Sequence, residues 1–310
     1  MNNKPCVKIT FSDMAAGGRT FFIRLLEAHF HLIWDEPADF ILYSHIGQGH
    51  RLHNGIKIYW TQELYGPNWK ECDYAITPKL VLDPRAFYLP IYAFDQITQP
   101  LLRKEPIDPV AIRAAKPHFC SLLCAYADRS TRERQRFFEI LNRRRKVDSA
   151  GAALNNTGFR IPKQRRYQTK LDWIRNYRFN IAFENRLCPG WTTEKLVDPL
   201  HVFTIPIHWG DPEASRHFNP RSFISAHDFA SLESLADYVI QVDDSPELYG
   251  QYVQATPFHE NRLNEPFQLE RLVDFFRKIF QTRDRPVTQR RWFFPLTKWR
   301  LVKRHKLPGQ

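Results

Sequence analysis

The sequence predicts an α/β protein built from two open-sheet domains, each with helices packed against its strands. Three observations lead there. At 310 residues the chain is too long for one typical core and fits two domains of about 150 residues each. Short apolar, β-prone runs alternate along it with stretches of helical periodicity. Residues 179–210 read as one complete strand–loop–helix–strand unit. A hydrophobic content of 43% supports globular folding over disorder.

Val7 to Phe11 reads as a first strand, and Phe21 to Phe30 as a helix after the Gly17-Gly18 break. Phe40 to Tyr43, Ile56 to Thr61 and Asp73 to Ile76 are further strands. Gly47-Gln48-Gly49 is a loop and not a dinucleotide fingerprint, since the third glycine is missing and His50-Arg51 follow. The polar, proline-containing stretch 105–117 closes a first domain, 1–115. A second domain, 116–280, opens on the apolar strand Phe119 to Tyr126. Helices follow at Arg132 to Leu141 and Arg165 to Asn176, then the 179–210 unit and a strand at Ser222 to Ser225. Ser231 to Val242 is amphipathic, with Leu232, Leu235, Ala236, Val239 and Ile240 on one face. A last helix spans roughly Pro266 to Phe280. No internal repeat is visible.

Within 179–210, the apolar run Phe179 to Phe183 stops at Glu184-Asn185. A loop with Pro189 and Gly190 follows, and Thr192-Thr193 can cap a helix that opens with Glu194-Lys195. Val202 to Trp209 returns as a strand and ends in the turn sequence Gly210-Asp211-Pro212. A parallel βαβ unit brings its strand ends and helix start to one edge of the sheet, where α/β proteins bind ligands. Backbone N–H groups at that helix start favour an anion, and Lys195 adds positive charge. Glu194 beside it can accept hydrogen bonds from a sugar hydroxyl. The combination suits a phosphorylated sugar or a nucleotide.

Composition narrows the setting. No run approaches the roughly 20 apolar residues of a membrane span. The opening MNNKPCVKITF starts a strand at once, without a long apolar signal region, so the expectation is a cytoplasmic protein. Cysteines stand at 6, 72, 120, 124 and 188. Cys120 and Cys124 lie in an apolar run without a second pair at zinc-ligand spacing, so they read as buried thiols in a reducing compartment. No Asp-x-Asp metal motif occurs; Asp243-Asp244 reads as a surface cap, and no metal site is expected. The net charge of +12 points to anionic partners. Nine Lys and Arg stand against one Asp in the tail 281–310, between Arg283 and Lys306. There they alternate with Trp292, Phe293, Phe294, Leu296, Trp299, Leu301 and Val302. That mixture suits peripheral contact of 283–306 with an anionic membrane, on the inner face of the cytoplasmic membrane. A solvated basic tail is the plainer reading. No nucleic-acid motif accompanies the charge, and no nucleic-acid partner is expected.

FENxxxxxxxTEK from Phe183 to Lys195, followed by IPIxWG from Ile205 to Gly210, resembles the donor-site motif of the α1,3-fucosyltransferases, glycosyltransferase family ten. The resemblance continues through His217–Ile224 and His227-Asp228-Phe229, and covers about residues 170–230. Beyond it lie islands: Trp60-Thr61-Gln62-Glu63 with Pro67-Asn68-Trp69, Asp73-Tyr74-Ala75-Ile76, and a basic segment around Arg134. The resemblance implies the GT-B architecture, two Rossmann-like domains facing across a cleft. It further implies an inverting α1,3-fucosyltransferase that moves L-fucose from GDP-fucose to a GlcNAc or glucose hydroxyl. The acceptor would be an oligosaccharide or lipopolysaccharide such as N-acetyllactosamine, giving a Lewis x type product. No cofactor is required in such a site, and stimulation by a divalent cation stays open.

The resemblance also assigns residues. Lys195 and Arg134 hold the diphosphate, with Arg132 and Arg136 as substitutes for the latter. Glu194 binds the ribose or fucose, and Asn185 donates from the strand end. Glu184 orients the loop or contacts the sugar ring; it and Asn185 could equally be structural strand-end residues. Trp191, where the family often has Tyr, stacks over the donor. Glu63 is the catalytic base that takes the acceptor proton, with Gln62 replacing the family's glycine and Glu71 and Asp73 as competitors. Glu184 and His208 are next in line. Two departures from the family pattern are the loop Arg186-Leu187-Cys188-Pro189 and Pro199, which should kink its helix. Two other classes remain as alternatives: a GT-B transferase using another nucleotide sugar, and a non-catalytic basic protein that binds glycans or membranes.

Overall fold

The computed structural model describes residues 4–93, 99–162, 166–263 and 269–282. The tail 283–306, the helix start at Arg165 and the helix start at Pro266 lie outside the described residues. The chain forms two compact units, one of residues up to Leu89 together with those from Leu269, the other Pro90–Gln268.

The first unit carries β1 (Cys6–Ser12), α1 (Ala16–His29), β2 (His31–Ile33), β3 (Phe40–Tyr43), β4 (Ile56–Trp60), β5 (Tyr74–Thr77) and β6 (Ala86–Tyr88). Its sheet runs β2-β1-β3-β4-β5-β6, parallel throughout. All five residues of β4 are buried. That is the pattern of a parallel strand covered on both faces, and it explains why these strands read as apolar runs. Strand order reverses between β1 and β3, so the edge beyond Ser12 and Tyr43 is a place where α/β folds bind ligands.

The second unit holds α2 (Pro109–Ala114), β7 (His118–Cys124), α3 (Arg132–Arg144), β8 (Val147–Gly151), α4 (Arg166–Ile174) and β9 (Tyr177–Phe183). It continues with α5 (Glu194–His201), β10 (Ile205–Trp209), β11 (Ile224–Ser225), α6 (Leu232–Asp244) and α7 (Pro246–Gln254). The sheet order is β11-β10-β9-β7-β8, again parallel, and it reverses between β7 and β9. Its core gathers Leu122, Phe137, Leu141, Phe179, Phe183, Leu235 and Val239. Phe137 of α3 stacks on Phe183 of β9 with centroids 4.9 Å apart, which fixes the start of α3 beside the end of β9.

The domain boundaries differ from the expected 1–115 and 116–280. Residues 109–114 belong to the second unit, because Pro109 packs against Gly250 of α7 and Arg113 donates to the Asp243 carbonyl at 2.6 Å. The final helix, α8 (Leu269–Gln281), belongs to the first. Its fully buried Phe276 meets Phe22 of α1 at 5.9 Å, and Phe280 lies edge-on to Phe30 and Phe40 at 5.0 and 4.7 Å. Asp243 is also no surface cap: it is buried and ion-paired with Arg178 and Arg145. The second strand of the 179–210 unit starts at Ile205 rather than Val202. Val202 closes α5 with its N–H on the Pro199 and Leu200 carbonyls, and Phe203 turns the chain in the left-handed region. Among the described residues no helix is long and apolar enough to cross a membrane, and no group of three or more His, Cys, Asp or Glu could hold a metal.

Candidate functional site

At the end of β9 the chain buries a carboxylate completely: Glu184 has no exposed surface. Burial of a charge is costly unless partners replace water. Here Oε1 accepts Thr193 N at 2.8 Å and Thr193 Oγ1 at 2.6 Å, and Oε2 pairs with Lys195 Nζ at 3.1 Å. The strand end is thereby tied to the start of α5. Thr193 also caps that helix, as its position before Glu194-Lys195 predicts. Gly210 makes the close approach feasible: a Cβ there would fall 2.5 Å from Glu184 Cβ, and its φ of 126° suits glycine. Asp211, buried, braces the intervening loop by accepting Gly190 N at 2.8 Å and Thr192 Oγ1 at 2.7 Å.

Lys195 Nζ lies 3.1 Å from Thr193 Oγ1 and 3.2 Å from Glu194 Oε1 as well as on Glu184. Arg134 reaches the same edge from the first turn of α3. Its Nε donates to the Phe183 carbonyl at 3.0 Å and its Nη2 to Asn185 Oδ1 at 2.7 Å. It is 4% exposed, yet no carboxylate among the described residues pairs with it. Arg132 is exposed, and Arg136 is exposed and paired with Glu133 at 3.1 Å. Of the three arginines, only Arg134 is brought to the strand end. Asn185 turns its oxygen to Arg134, which leaves its amide nitrogen to donate outward.

Two residues that sequence reasoning missed complete the cluster. Lys170 of α4 lies 2.6 Å from the buried Asp198 of α5, and with Arg134 and Lys195 it lines a small cavity of about 20 Å³. Nothing local in sequence links position 170 to position 195; the packing of α4 on α5 does. Burial alone would raise Glu194, but Lys195 and Lys170 together hold its carboxyl at about 2. Burial raises Glu184, against the pull of Lys195. Burial would lower Lys195, but Glu184 and Glu194 hold its ammonium above the ordinary lysine value. The result is a charge network at the switch point between β7 and β9 in which Arg134 is the cation that no described carboxylate pairs.

Other expected residues sit differently. Trp191 is 4% exposed, so it offers no open face for stacking over a donor; the apolar ring gains more by burial under its loop, while Leu187 of the same loop is 60% exposed. His208 is fully buried with Nδ1 3.0 Å from the Ala182 carbonyl, and burial lowers its pKa to about 4, which removes it as a reserve base. In the first unit, Glu63 stands exposed just past β4, its backbone N–H donating to Thr61 Oγ1 at 3.0 Å. Its competitors are committed elsewhere. Glu71 holds His50 Nε2 at 3.1 Å and Arg51 Nη2 at 2.6 Å, and Asp73 is buried and accepts Lys57 N at 2.8 Å.

Two all-parallel α/β units in one chain, one with a buried arginine and two partly buried lysines at its switch point, define the class of GT-B transferase folds. Comparison with known proteins makes the class specific. Residues 115–272 match the family described as glycosyltransferase family 10 (fucosyltransferase) C-term, and residues 8–95 match the alpha-(1,3)-fucosyltransferase FucT N-terminal domain. The chain belongs to glycosyltransferase family 10. It is 24% identical over 288 residues to alpha-(1,3)-fucosyltransferase FucT of Helicobacter pylori, covering 80% of this chain and 58% of that protein. It therefore spans a little over half the length of that relative. It is 31% identical over 115 residues to GDP-fucose protein O-fucosyltransferase 3 of Homo sapiens, covering 35% of this chain and 24% of that protein. The fold is similar to a solved α1,3-fucosyltransferase with GDP-fucose, with a TM-score of 0.69 at 20% identity over 91% of this chain and 92% of that one.

Proposed function

We propose that this chain is an inverting fucosyltransferase that moves L-fucose from GDP-fucose to O3 of a GlcNAc or glucose unit. N-acetyllactosamine is the representative acceptor and a Lewis x type trisaccharide the product. The observation that carries the reading is the buried, carboxylate-free Arg134 beside Lys195 at the end of β9. A desolvated guanidinium and an ammonium suit the two charges of the donor's diphosphate and the third that develops as it leaves, in place of a metal. Glu194, half exposed and bonded to Lys195, is the carboxylate that can yield its place to a phosphate oxygen and turn to a sugar hydroxyl.

In the reaction, Glu63 takes the proton of the acceptor hydroxyl. The acceptor oxygen forms its bond to C1 of fucose on the face opposite the leaving group. The bond from C1 to the diphosphate oxygen breaks, and GDP departs with that electron pair onto Arg134 and Lys195. Titration calorimetry tests the donor assignment: GDP-fucose and GDP should bind, and UDP-glucose should bind at least tenfold more weakly. Equal affinity for UDP-glucose would favour a transferase of another nucleotide sugar. A second reading follows from the human relative named as a protein O-fucosyltransferase: the acceptor hydroxyl belongs to Ser or Thr. A panel with both N-acetyllactosamine and a Ser/Thr peptide separates the two.

A further inference from the structure

In the first unit, the loops leaving β3 and β4 meet on one hydroxyl. Thr61, 1% exposed, accepts Glu63 N at 3.0 Å, and its Oγ1 lies 3.0 Å from His45 Nδ1. Ser44 Oγ lies 3.3 Å from the same nitrogen. With Nδ1 occupied by two hydroxyls, Nε2 is the atom that the exposed imidazole presents, and it has no partner among the described residues. The ring of Tyr65 lies 4.6 Å from the imidazole, tilted by 35°, and Tyr65 is 59% exposed.

The loop that carries His45 is held from behind. Asp13, just past β1, sits in the left-handed region at φ 52° and accepts His50 N at 2.9 Å. Its carboxylate also lies 3.2 Å from His50 Nδ1. Gly47 crowds that carboxylate so closely that a Cβ would fall 2.3 Å from Asp13 Oδ1. His50 is buried under the stacked ring of Tyr43 at 3.9 Å, and its Nε2 continues to Glu71 and Arg51. A strained non-glycine residue persists only where its surroundings over-determine it. This apparatus fixes a loop whose own side chains, His45 and Ile46, point no apolar bulk into the core; Ile46 is 61% exposed. Core packing does not explain it.

We propose that His45 and Tyr65 form a subsite for the acceptor sugar next to Glu63. An aromatic face suits the C–H face of a pyranose, and one imidazole nitrogen suits a hydroxyl of the same ring. Thr61 ties His45 to the Glu63 backbone and Tyr65 lies against the His45 ring, so a sugar seated there is in register with the base. His45 and Tyr65 bind and position the acceptor; Glu63 alone takes the proton. The assignment rests on the fucosyl-transfer reading above and names its acceptor side.

Steady-state kinetics on the full chain, with saturating GDP-fucose and varied N-acetyllactosamine, tests it. Tyr65→Ala should raise the acceptor KM tenfold or more, while Tyr65→Phe stays within about twofold of wild type. His45→Ala should raise the acceptor KM and lower kcat, with partial recovery in His45→Gln. GDP affinity by calorimetry and the melting temperature should match wild type in each variant. Unchanged acceptor KM in both alanine variants overturns the subsite. If wild type transfers fucose to no acceptor, the transferase reading has failed instead. Saturation-transfer NMR with N-acetyllactosamine then decides the subsite: ring-proton saturation present in wild type and lost in Tyr65→Ala supports it, and equal or absent saturation overturns it.

Discussion

Lys195 has two tasks, one in the packing of a buried carboxylate and one in binding. Its ammonium neutralises the fully buried Glu184, and it supplies charge at the mouth of the cluster. Lys195→Ala should weaken GDP binding by roughly 1.5–3 kcal/mol, the range for a hydrogen bond to a charged group. Arg134→Ala should do the same, and calorimetry with GDP reads both; unchanged affinity in the two variants would remove the diphosphate assignment. His208 gives a pH test. Its folded-state pKa is near 4 against an ordinary 6.5, so below pH 6.5 the unfolded chain takes up a proton that the folded chain refuses. Stability is therefore lost as pH falls from 6.5 towards 4, by about 1.4 kcal/mol per pH unit, and the effect levels off below that. Burial lowers His201 to about 4 as well, so the His208→Asn variant keeps some slope. Denaturant melts between pH 7 and 4 should show a shallower fall for His208→Asn; parallel slopes would contradict the burial argument. At this scale the sequence disclosed what was contiguous. Glu184, Asn185, Glu194 and Lys195 lie on one strand–loop–helix and could be read together. Lys170 and Asp198 enter only through packing, and Trp191 was misjudged because a sequence does not say which side of a loop an aromatic ring takes.

Parallel strands were legible for a physical reason: covered on both faces, they are apolar at nearly every position, as β4 is. The start of α5 was legible because Thr193 caps it, and the caps of α2 and α6, Asp108 and Ser231, follow the same rule. What the pattern did not reveal was allegiance. An amphipathic helix shows that it has an apolar face, not which sheet that face covers. So α8, last in sequence after the second unit, proves to pack on the first. Phe276→Ala should cost roughly 3–5 kcal/mol, the range for truncating a buried Phe to Ala. Chemical denaturation read by fluorescence would show it, and a loss below about 1 kcal/mol would mean that α8 is not part of that core.

Over the whole molecule, one strand reversal in each sheet organises the chemistry. In the second unit it gathers Arg134, Lys170 and Lys195 around the end of β9; in the first it gathers Asp13 and the His45 loop, with Glu63 further along the same edge. Two-thirds of the +12 net charge lies beyond Thr282, so the described cluster at the end of β9 is not a product of bulk basicity. Its cations are individually placed: Lys170 pairs with Asp198 and Lys195 with Glu184 and Glu194, while Arg134 pairs with no described carboxylate. On the proposed function these groups serve fucosyl transfer from GDP-fucose, with Glu63 as base. Radiolabelled fucose transfer from GDP-fucose to N-acetyllactosamine, run on wild type and Glu63→Gln with GDP affinity measured alongside, tests that claim most directly. Wild type should give labelled trisaccharide, and Glu63→Gln should lose about 10²–10⁴-fold in turnover with unaltered GDP affinity. No label in any product from a folded, GDP-binding wild type, or near-normal turnover by Glu63→Gln, would contradict that claim.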